Sequence, residues 1–480
     1  MSAGPVLTPP PAAGRGAPRR WVIVTLLLVV TLAAVAVGLR FSAPAAGTAP
    51  SAAAAAPSPS TSPPPTPVRP QPAVTPVAGT APAPAPAPLA AALAPLTSGP
   101  TVGTLTGRVL DPITNTVLWD SGGQRPQMPA STAKLLTAAA ALLTLPPTQS
   151  LATRVVRTAV AGQVAIIGGG DPSLSGQPVG APTYYPGAAR LDDLVAQVKA
   201  SGTAVSSIVV DTSSWSGPGL AQGWLGADVA GGFIAPAQSL MLDGGRLQPL
   251  VENSPRSPTP AMDAGRVFAQ RLGLPPAAVT AGTAPAGAAE LAAVRSAPLG
   301  TRLAHTLVTS DNVAAEAVAR EVAMARGLPP TFAGSAEATS RALGERGVDT
   351  TGLQLQDGSG LSTDDRVPAR LLADVLSAAA GGGPLSAALR PMLGWLPVAG
   401  VSGTLANRFR VGAPAAPSAS AGWVRAKTGT LTGVSTLAGV VTDVDGRVLV
   451  FVLMSSGGPT LDARPGLDAV ATLLRSCGCR

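Results

Sequence analysis

The chain is poor in the side chains on which most hydrolytic and metal-dependent sites are built. Its 480 residues include one histidine, His305, and two cysteines, Cys477 and Cys479. A Ser-His-Asp triad has to use His305, yet that residue sits inside a helical pattern, and no G-x-S-x-G elbow occurs elsewhere. It reads instead as a helix residue with its polar edge hydrogen-bonded. A histidine-based metal site fails for want of ligands, and two cysteines do not make a zinc site. No metal and no organic cofactor is expected. The cysteines stand one residue apart in the tail Ser-Cys-Gly-Cys-Arg, where closing a disulfide is strained. The tail reads as inert, with a small-loop disulfide as the other option. Charge is sparse as well: 12% of residues are charged and the net charge is +8. Arginine is scattered, with no basic block interleaved with aromatics, which argues against a nucleic-acid partner.

Alanine, proline and glycine are abundant, with 55 glycines and 51 prolines. Residues 40–98 are mostly Ala, Pro, Ser and Thr, in runs such as PSPSTSPPPTP and APAPAPAPLA. Such a stretch buries too little apolar surface to offset its ordering entropy. A disordered, extended and fairly stiff linker is expected there. Before it lies one uncharged apolar run, Trp21 to Leu39, preceded by Arg15, Arg19 and Arg20 and followed by Arg40. Its length suits a membrane-crossing helix. The arginine bias predicts residues 1–20 in the cytoplasm and the rest outside, anchored to the membrane. A cleaved signal peptide, followed by the small residues of Ala43 to Gly47, is the rival reading and leaves the folded part exported as well.

The foldable part runs from about residue 99 to 480 and predicts an α+β domain, an antiparallel sheet flanked by helices. TLTGRVL and TVLWD read as two strands around the turn DPITN. PQMPASTAKLLTAAAALLTL becomes helical from Ser131 and stops at Pro146 and Pro147. Residues 152–290 show short β-like runs and few long helical patterns. Helical character returns over 296–325. GWVRAKTGT, STLAGVVTD and RVLVFVLMSS then read as strands, and LDARPGLDAVATLLRSC as a closing helix.

Three short motifs carry chemistry. In Ser131-Thr-Ala-Lys134 the two polar residues share one helix face, so the Lys134 amine is presented beside the Ser131 hydroxyl. Serine needs a base, and a lysine held neutral by burial or by another cation supplies one. Ser131 also lies at the helix start, where backbone N–H groups favour developing negative charge. The plain alternative is an N-cap serine with a surface lysine. Ser310-Asp311-Asn312 heads the apolar run NVAAEAVAR, a place that also suits an N-cap cluster. Lys427-Thr428-Gly429, followed by Thr430, lies in a strand pattern. It reads either as an ordinary edge strand or, through Gly429, as a point where another backbone or a ligand comes close.

In this order the three motifs form the S-x-x-K, S-D-N, K-T-G triple of class A β-lactamases and penicillin-binding proteins. The chain resembles the D-alanyl-D-alanine carboxypeptidase/endopeptidase family of low-molecular-mass penicillin-binding proteins, class C (the peptidase S13 type), over roughly residues 99 to 480. The long gap from Ser131 to Ser310 matches that family's large insertion. GGGDPSL (Gly168 to Leu174), DGSGLS (Asp357 to Ser362) and GW…FIAPAQSLMLDGG are similar to its other blocks. A dinucleotide-binding reading of the glycines fails, because Asp171 and Pro172 break the G-x-G-x-x-G spacing. Phe233 stands where the family more usually has an aromatic hydroxyl. Asp243-Gly244 falls near its usual Asn, and Thr363 replaces its usual Arg, with Arg366 shortly after.

The resemblance implies a β-lactamase/transpeptidase-like catalytic domain from residues 99–155 and 292–480, with residues 156–291 as an inserted, mostly β accessory region. It implies cleavage of D-Ala-D-Ala peptides of peptidoglycan through an acyl-enzyme on Ser131, and binding of β-lactams. Lys134 is the implied base, Ser310 and Lys427 relay a proton to the leaving amine, and Asn312 holds the substrate amide. Lys427, Thr428 and Thr430 bind the terminal carboxylate. The N–H groups of Ser131 and Thr430 form the oxyanion hole, with Gly429 between the threonines. Trp224, Asp228 and Phe233 resemble a cluster that meets the peptide's third side chain. The other readings are a β-lactamase or esterase, for which Glu345 is the candidate loop glutamate, and a catalytically silent peptidoglycan-binding protein.

Overall fold

The computed structural model describes residues 80–410, 420–458 and 462–479. The expected cytoplasmic tail, the apolar segment 21–39 and most of the linker lie outside these residues. Among the described residues no helix is long and apolar enough to cross a membrane.

The centre is an antiparallel five-stranded sheet. Its spatial order is Val424–Leu431, Val434–Thr442, Val448–Ser456, Thr104–Asp111, Thr116–Ser121. The first and last parts of the domain therefore meet in one sheet, with Gly107 opposite Leu453. The strand Val448–Ser456 shows why both faces are covered. Val450, Val452 and Met454 join one apolar cluster, and Leu449, Phe451 and Leu453 join another. That is the two-residue alternation of a strand buried on both sides. The first face carries the helices Lys134–Thr144, Asn312–Ala325, Phe332–Gly344 and Ala369–Ala380. The second face carries Ala463–Ser476 and Pro86–Thr97.

The helix Pro86–Thr97 corrects the expected linker boundary at residue 98. Leu89 and Leu93, one helical turn apart, are completely buried against the C-terminal helix. The Ala85 N–H donates to Cys479 O at 2.6 Å, and Arg447 Nη1 donates to Ala81 O at 3.0 Å. Composition averaged over the whole Ala/Pro stretch hid two leucines at helical spacing on an alanine background, with Pro86 at the first helical position, where proline is favoured. The tail is correspondingly not a free end: Cys477 is buried in the same cluster and is paired with Cys479 as a disulfide.

The inserted region is built on a second five-stranded sheet, ordered Val279–Ala281, Ser207–Asp211, Gln163–Ile167, Ala152–Arg157, Glu290–Arg295. It is not mostly β, as the sequence reading expected. The three strands at the Val279 side run parallel, and parallel neighbours need crossover connections, here helices. Leu191–Ala200 and Pro260–Leu272 supply them, burying Leu191, Leu194 and Val198 from one and Ala261, Ala264 and Phe268 from the other. Its first and last strands in chain order, Ala152–Arg157 and Glu290–Arg295, pair with each other, Ala152 opposite Arg295. The sheet thus takes in residues on both sides of the expected boundaries at 155/156 and 291/292.

Candidate active site

Ser131 lies in a single 3₁₀ turn, Ala130–Ala133, that leads directly into the helix Lys134–Thr144. Ala130 has a left-handed φ of 46°, unusual for a residue with a Cβ. The chain is bent there because two glycines press on it. A Cβ on Gly429 would come 2.9 Å from Ala130 Cβ and 2.1 Å from Thr436 Oγ1, and one on Gly360 would come 1.9 Å from Ala130 O. The strand carrying Lys427 and the loop carrying Ser359 are thus closed on the nucleophile turn from two sides. The Thr436 hydroxyl, donating to Pro129 O at 2.9 Å, pins it.

Lys134 is buried, and its Nζ lies 2.9 Å from Ser131 Oγ, 2.5 Å from Asn312 Oδ1 and 2.7 Å from the Ser359 carbonyl. Burial penalises its cationic form and lowers its pKa to about 8, against the opposing pull of Asp357, Glu316, Asp311 and Asp365. This is not the surface lysine of the plain alternative.

The second motif sits where the helix Leu299–Thr309 breaks. Ser310 takes a left-handed φ of 64°, and Asp311 caps the next helix, Asn312–Ala325, by accepting the Ala314 N–H at 2.9 Å. The break turns Ser310 and Asn312 into the cleft on either side of the buried cap. Lys427 Nζ donates to Ser310 Oγ at 2.8 Å. Lys427 is buried too, and desolvation together with the positive charge of Lys134 holds its pKa well below the usual lysine range.

The inserted region fastens this motif. Arg246 Nη2 pairs with Asp311 Oδ2 at 2.9 Å, both side chains being 1% exposed. The Tyr185 hydroxyl donates to the same oxygen at 3.0 Å and accepts from Arg246 Nη1 at 2.9 Å. The guanidinium pulls the Asp311 carboxyl well below the usual carboxylate range. Asn312 Nδ2 donates to the Phe233 carbonyl at 3.0 Å.

Thr428 and Thr430 complete one end of a cleft of about 350 Å³ that also exposes Ser131, Ser310, Asn312 and Phe233. The Thr428 hydroxyl bonds to Thr404 Oγ1 at 2.7 Å, and Thr430 Oγ1 accepts from Arg464 Nη2 at 2.9 Å. The three motifs, far apart in sequence, therefore meet around one hydroxyl.

Not every expected residue comes to the cleft. Phe233 does, with a side chain 54% exposed. Trp224 does not: it is buried edge-on against Phe332, and its Nε1 donates to Asp357 Oδ2 at 2.6 Å. Asp228 accepts the Leu225 N–H at 2.8 Å within its own short turn and is not among the cleft residues. The carboxylate closes a turn and the indole fills a core. Glu345 pairs with Arg326 on the outside of the fold and is likewise absent from the cleft, so it supplies no deacylating carboxylate there. Arg366 folds back on Thr363 O at 2.8 Å. His305 packs edge-on against Tyr184 at 5.2 Å, and its buried Nε2 has no hydrogen-bond partner among the described residues, unlike the bonded edge expected.

The sequence reading missed Arg246, Glu316, Arg464 and the part played by the loop Asp357–Ser362. The DGSG pattern of that loop was the available signal. Asp357 accepts the N–H groups of Ser359 at 3.0 Å, Gly360 at 2.6 Å and Ser362 at 2.7 Å, and so coils the loop beneath Lys134.

The chain is similar to known proteins. The family model described as D-Ala-D-Ala carboxypeptidase 3 (S13) matches residues 89–257 and 251–477. A carboxypeptidase of Mycobacterium tuberculosis is 49% identical over 394 residues, covering 82% of this chain and 84% of that protein. Carboxypeptidase DacB of Mycolicibacterium smegmatis matches at the same identity and coverage. The crystal structure of penicillin binding protein 4 from Haemophilus influenzae superimposes with a TM-score of 0.66 at 22% identity, over 80% of this chain and 98% of that one, a likeness of fold.

Proposed function

We propose a reaction path from the premise that this chain belongs to the D-Ala-D-Ala carboxypeptidase 3 (S13) family and is a serine-type D-Ala-D-Ala carboxypeptidase. The observation that carries it is the 2.9 Å approach of a buried, pKa-lowered Lys134 to Ser131 Oγ. Neutral Lys134 accepts the Ser131 hydroxyl proton as Oγ attacks the carbonyl between the two D-alanines. General-base help of this kind contributes about 10² to 10⁴-fold. The tetrahedral oxyanion is held by the N–H groups of Ser131 and Thr430, each such donor being worth about 10² to 10³-fold. As the C–N bond breaks, the proton that Lys134 took from Ser131 passes to the leaving amine through the Ser310 hydroxyl, which Lys427 holds at 2.8 Å, and Lys134 is neutral again. Free D-alanine departs. Water then attacks the ester, gives up its proton to Lys134, and returns Ser131 Oγ as a hydroxyl.

Binding follows from the same groups. Thr428 and Thr430 offer hydroxyls, Lys427 an amine N–H donor and Arg464 positive charge to the substrate's terminal carboxylate. Asn312 meets the peptide amide. The substrates are stem peptides of peptidoglycan, and a β-lactam, as a strained mimic of the D-Ala-D-Ala amide, acylates the same hydroxyl. Phe233 keeps a place in the wall beside the peptide, whereas Trp224 and Asp228 are assigned none. The test is Ser131→Ala. It is expected to keep the wild-type melting temperature and to lose both fluorescent-penicillin labelling and D-alanine release. Labelling that survives in the folded variant puts the nucleophile elsewhere.

A further inference from the structure

Beneath Lys134, on the side away from the cleft, lies a shelf of three buried carboxylates, Glu316, Asp357 and Asp365, with one guanidinium, Arg320. None of the four lines the cleft. Glu316 stands one turn into the helix that Asp311 caps. Its Oε1 accepts the Gly358 N–H at 2.9 Å, and its Oε2 lies 3.2 Å from Arg320 Nη1. The next residue of that loop, Ser359, gives the carbonyl that receives Lys134 Nζ at 2.7 Å. The Thr137 hydroxyl donates to Gly358 O at 2.6 Å from the helix of Lys134 itself. Asp365 accepts the Gln356 N–H at 2.6 Å, while its buried Oδ2 has no hydrogen-bond partner among the described residues.

The charge balance of the shelf is unusual. Arg320 is wholly buried beside the rings of Phe332 and Trp215, at 4.2 and 4.9 Å, and the carboxylates that act on it are Glu316 and Asp357. One cation cannot neutralise three anions, and burial pushes Glu316 up to about 7 and Asp365 well above its ordinary value. The groups that favour the Lys134 cation are Asp357, Glu316, Asp311 and Asp365. Desolvation opposes them.

We propose that Glu316 is a positioning residue for the reaction: it clamps the Gly358-Ser359 main chain against the Lys134 amine, and its negative charge sets the pH at which that amine gives up its proton. The proposal rests on the reading of Lys134 as base. Glu316 touches neither substrate nor the reacting atoms. Its clamp acts through geometry and its charge through the low-dielectric interior, where a carboxylate near an amine favours the protonated form.

The two functions separate by substitution. Glu316→Gln keeps an amide oxygen for Gly358 and removes the charge. The acid limb of the penicillin acylation rate, measured against pH on the full chain, is expected to move to lower pH by roughly half a unit to one unit. The plateau rate should stay within about threefold. Glu316→Asp keeps the charge and shortens the reach. It is expected to leave the limb in place and to lower the plateau by about tenfold or more, as a slackened base does. A limb that stays put in Glu316→Gln, or moves to higher pH, overturns the proposal. So does a drop in melting temperature with both limb and plateau unchanged in the two variants. Failure of the base assignment is distinguishable. In that case Lys134→Met acylates at near wild-type rate, or the wild-type protein shows no acid limb at all.

Discussion

At the scale of single residues, the site is a contest between burial and partners. Lys134 has an acceptor for each ammonium proton, in Ser131, Asn312 and Ser359, and four carboxylates nearby, yet desolvation wins and its pKa falls to about 8. A direct consequence is a rate that depends on pH. The acylation rate constant for a penicillin is expected to climb with pH and level off just above pH 8, as Lys134 becomes neutral. A rate flat from pH 6 to 9 contradicts the assignment. The same shift affects stability. The native pKa of about 8 lies below the ordinary lysine value of 10.5. Between these values the unfolded chain binds more protons than the native one, so the Lys134 contribution to stability rises with pH across that window. Trp224 and Asp228 teach the complementary point. A tryptophan four residues before an aspartate suits a binding pocket and a closed turn equally well, and only the position of Asp357 decides that the indole N–H points inward.

At the scale of elements, the helix break at Ser310 depends on another part of the chain. The Arg246–Asp311 pair joins the inserted region to the cap of the helix Asn312–Ala325, and both partners are almost fully buried. Removing one partner of such a pair leaves an uncompensated charge and costs about 3–5 kcal/mol. Arg246→Met is therefore expected to lower the melting temperature and also to slow acylation, because Ser310 and Asn312 flank Asp311. The matched control is Arg266→Met. Its pair with Asp263 is solvent-exposed and worth at most about 1 kcal/mol. Equal melting temperatures and equal acylation rates in the two variants would remove the structural link between insertion and motif. Sequence pattern predicts helical character over 296–325 and offers a cap cluster at Ser310-Asp311-Asn312, but it does not show the break that separates Leu299–Thr309 from Asn312–Ala325. It had no means of finding Arg246, because the pairing spans two cores and no periodicity joins them.

At the scale of the whole molecule, the central sheet is covered on both faces, and the second cover includes a segment that looks like linker. Leu89 and Leu93 are completely buried on the helix Pro86–Thr97. Deleting a buried leucine side chain costs about 2–5 kcal/mol, so this helix is an integral part of the fold. A chain starting at Thr80 is expected to melt like the full-length protein. One starting at Gly99 is expected to be less stable by at least about 4 kcal/mol, with apolar surface exposed on the C-terminal helix. Superimposable melting curves for the two truncations refute this.

The two-segment plan enters only through the family resemblance; the residues themselves show the S-x-x-K, S-D-N and K-T-G motifs and the strands of the central sheet. Each of these is a local pattern: Ser131 and Lys134 share a helix face because of helical pitch, and RVLVFVLMSS alternates because of strand pleat. The scarcity of histidine narrowed the chemistry further, since a serine nucleophile in this chain must find another base. Tertiary structure alone decided what lies behind those residues. The pKa of Lys134 depends on burial and on Glu316, Asp357 and Asp365, which reach it from other parts of the chain. The insertion's two helices follow from parallel strand order, which a run of short β-like segments does not reveal. The packing of Pro86–Thr97 depends on a groove formed by the last helix, so its two leucines acquire meaning only once the far end of the chain is in place.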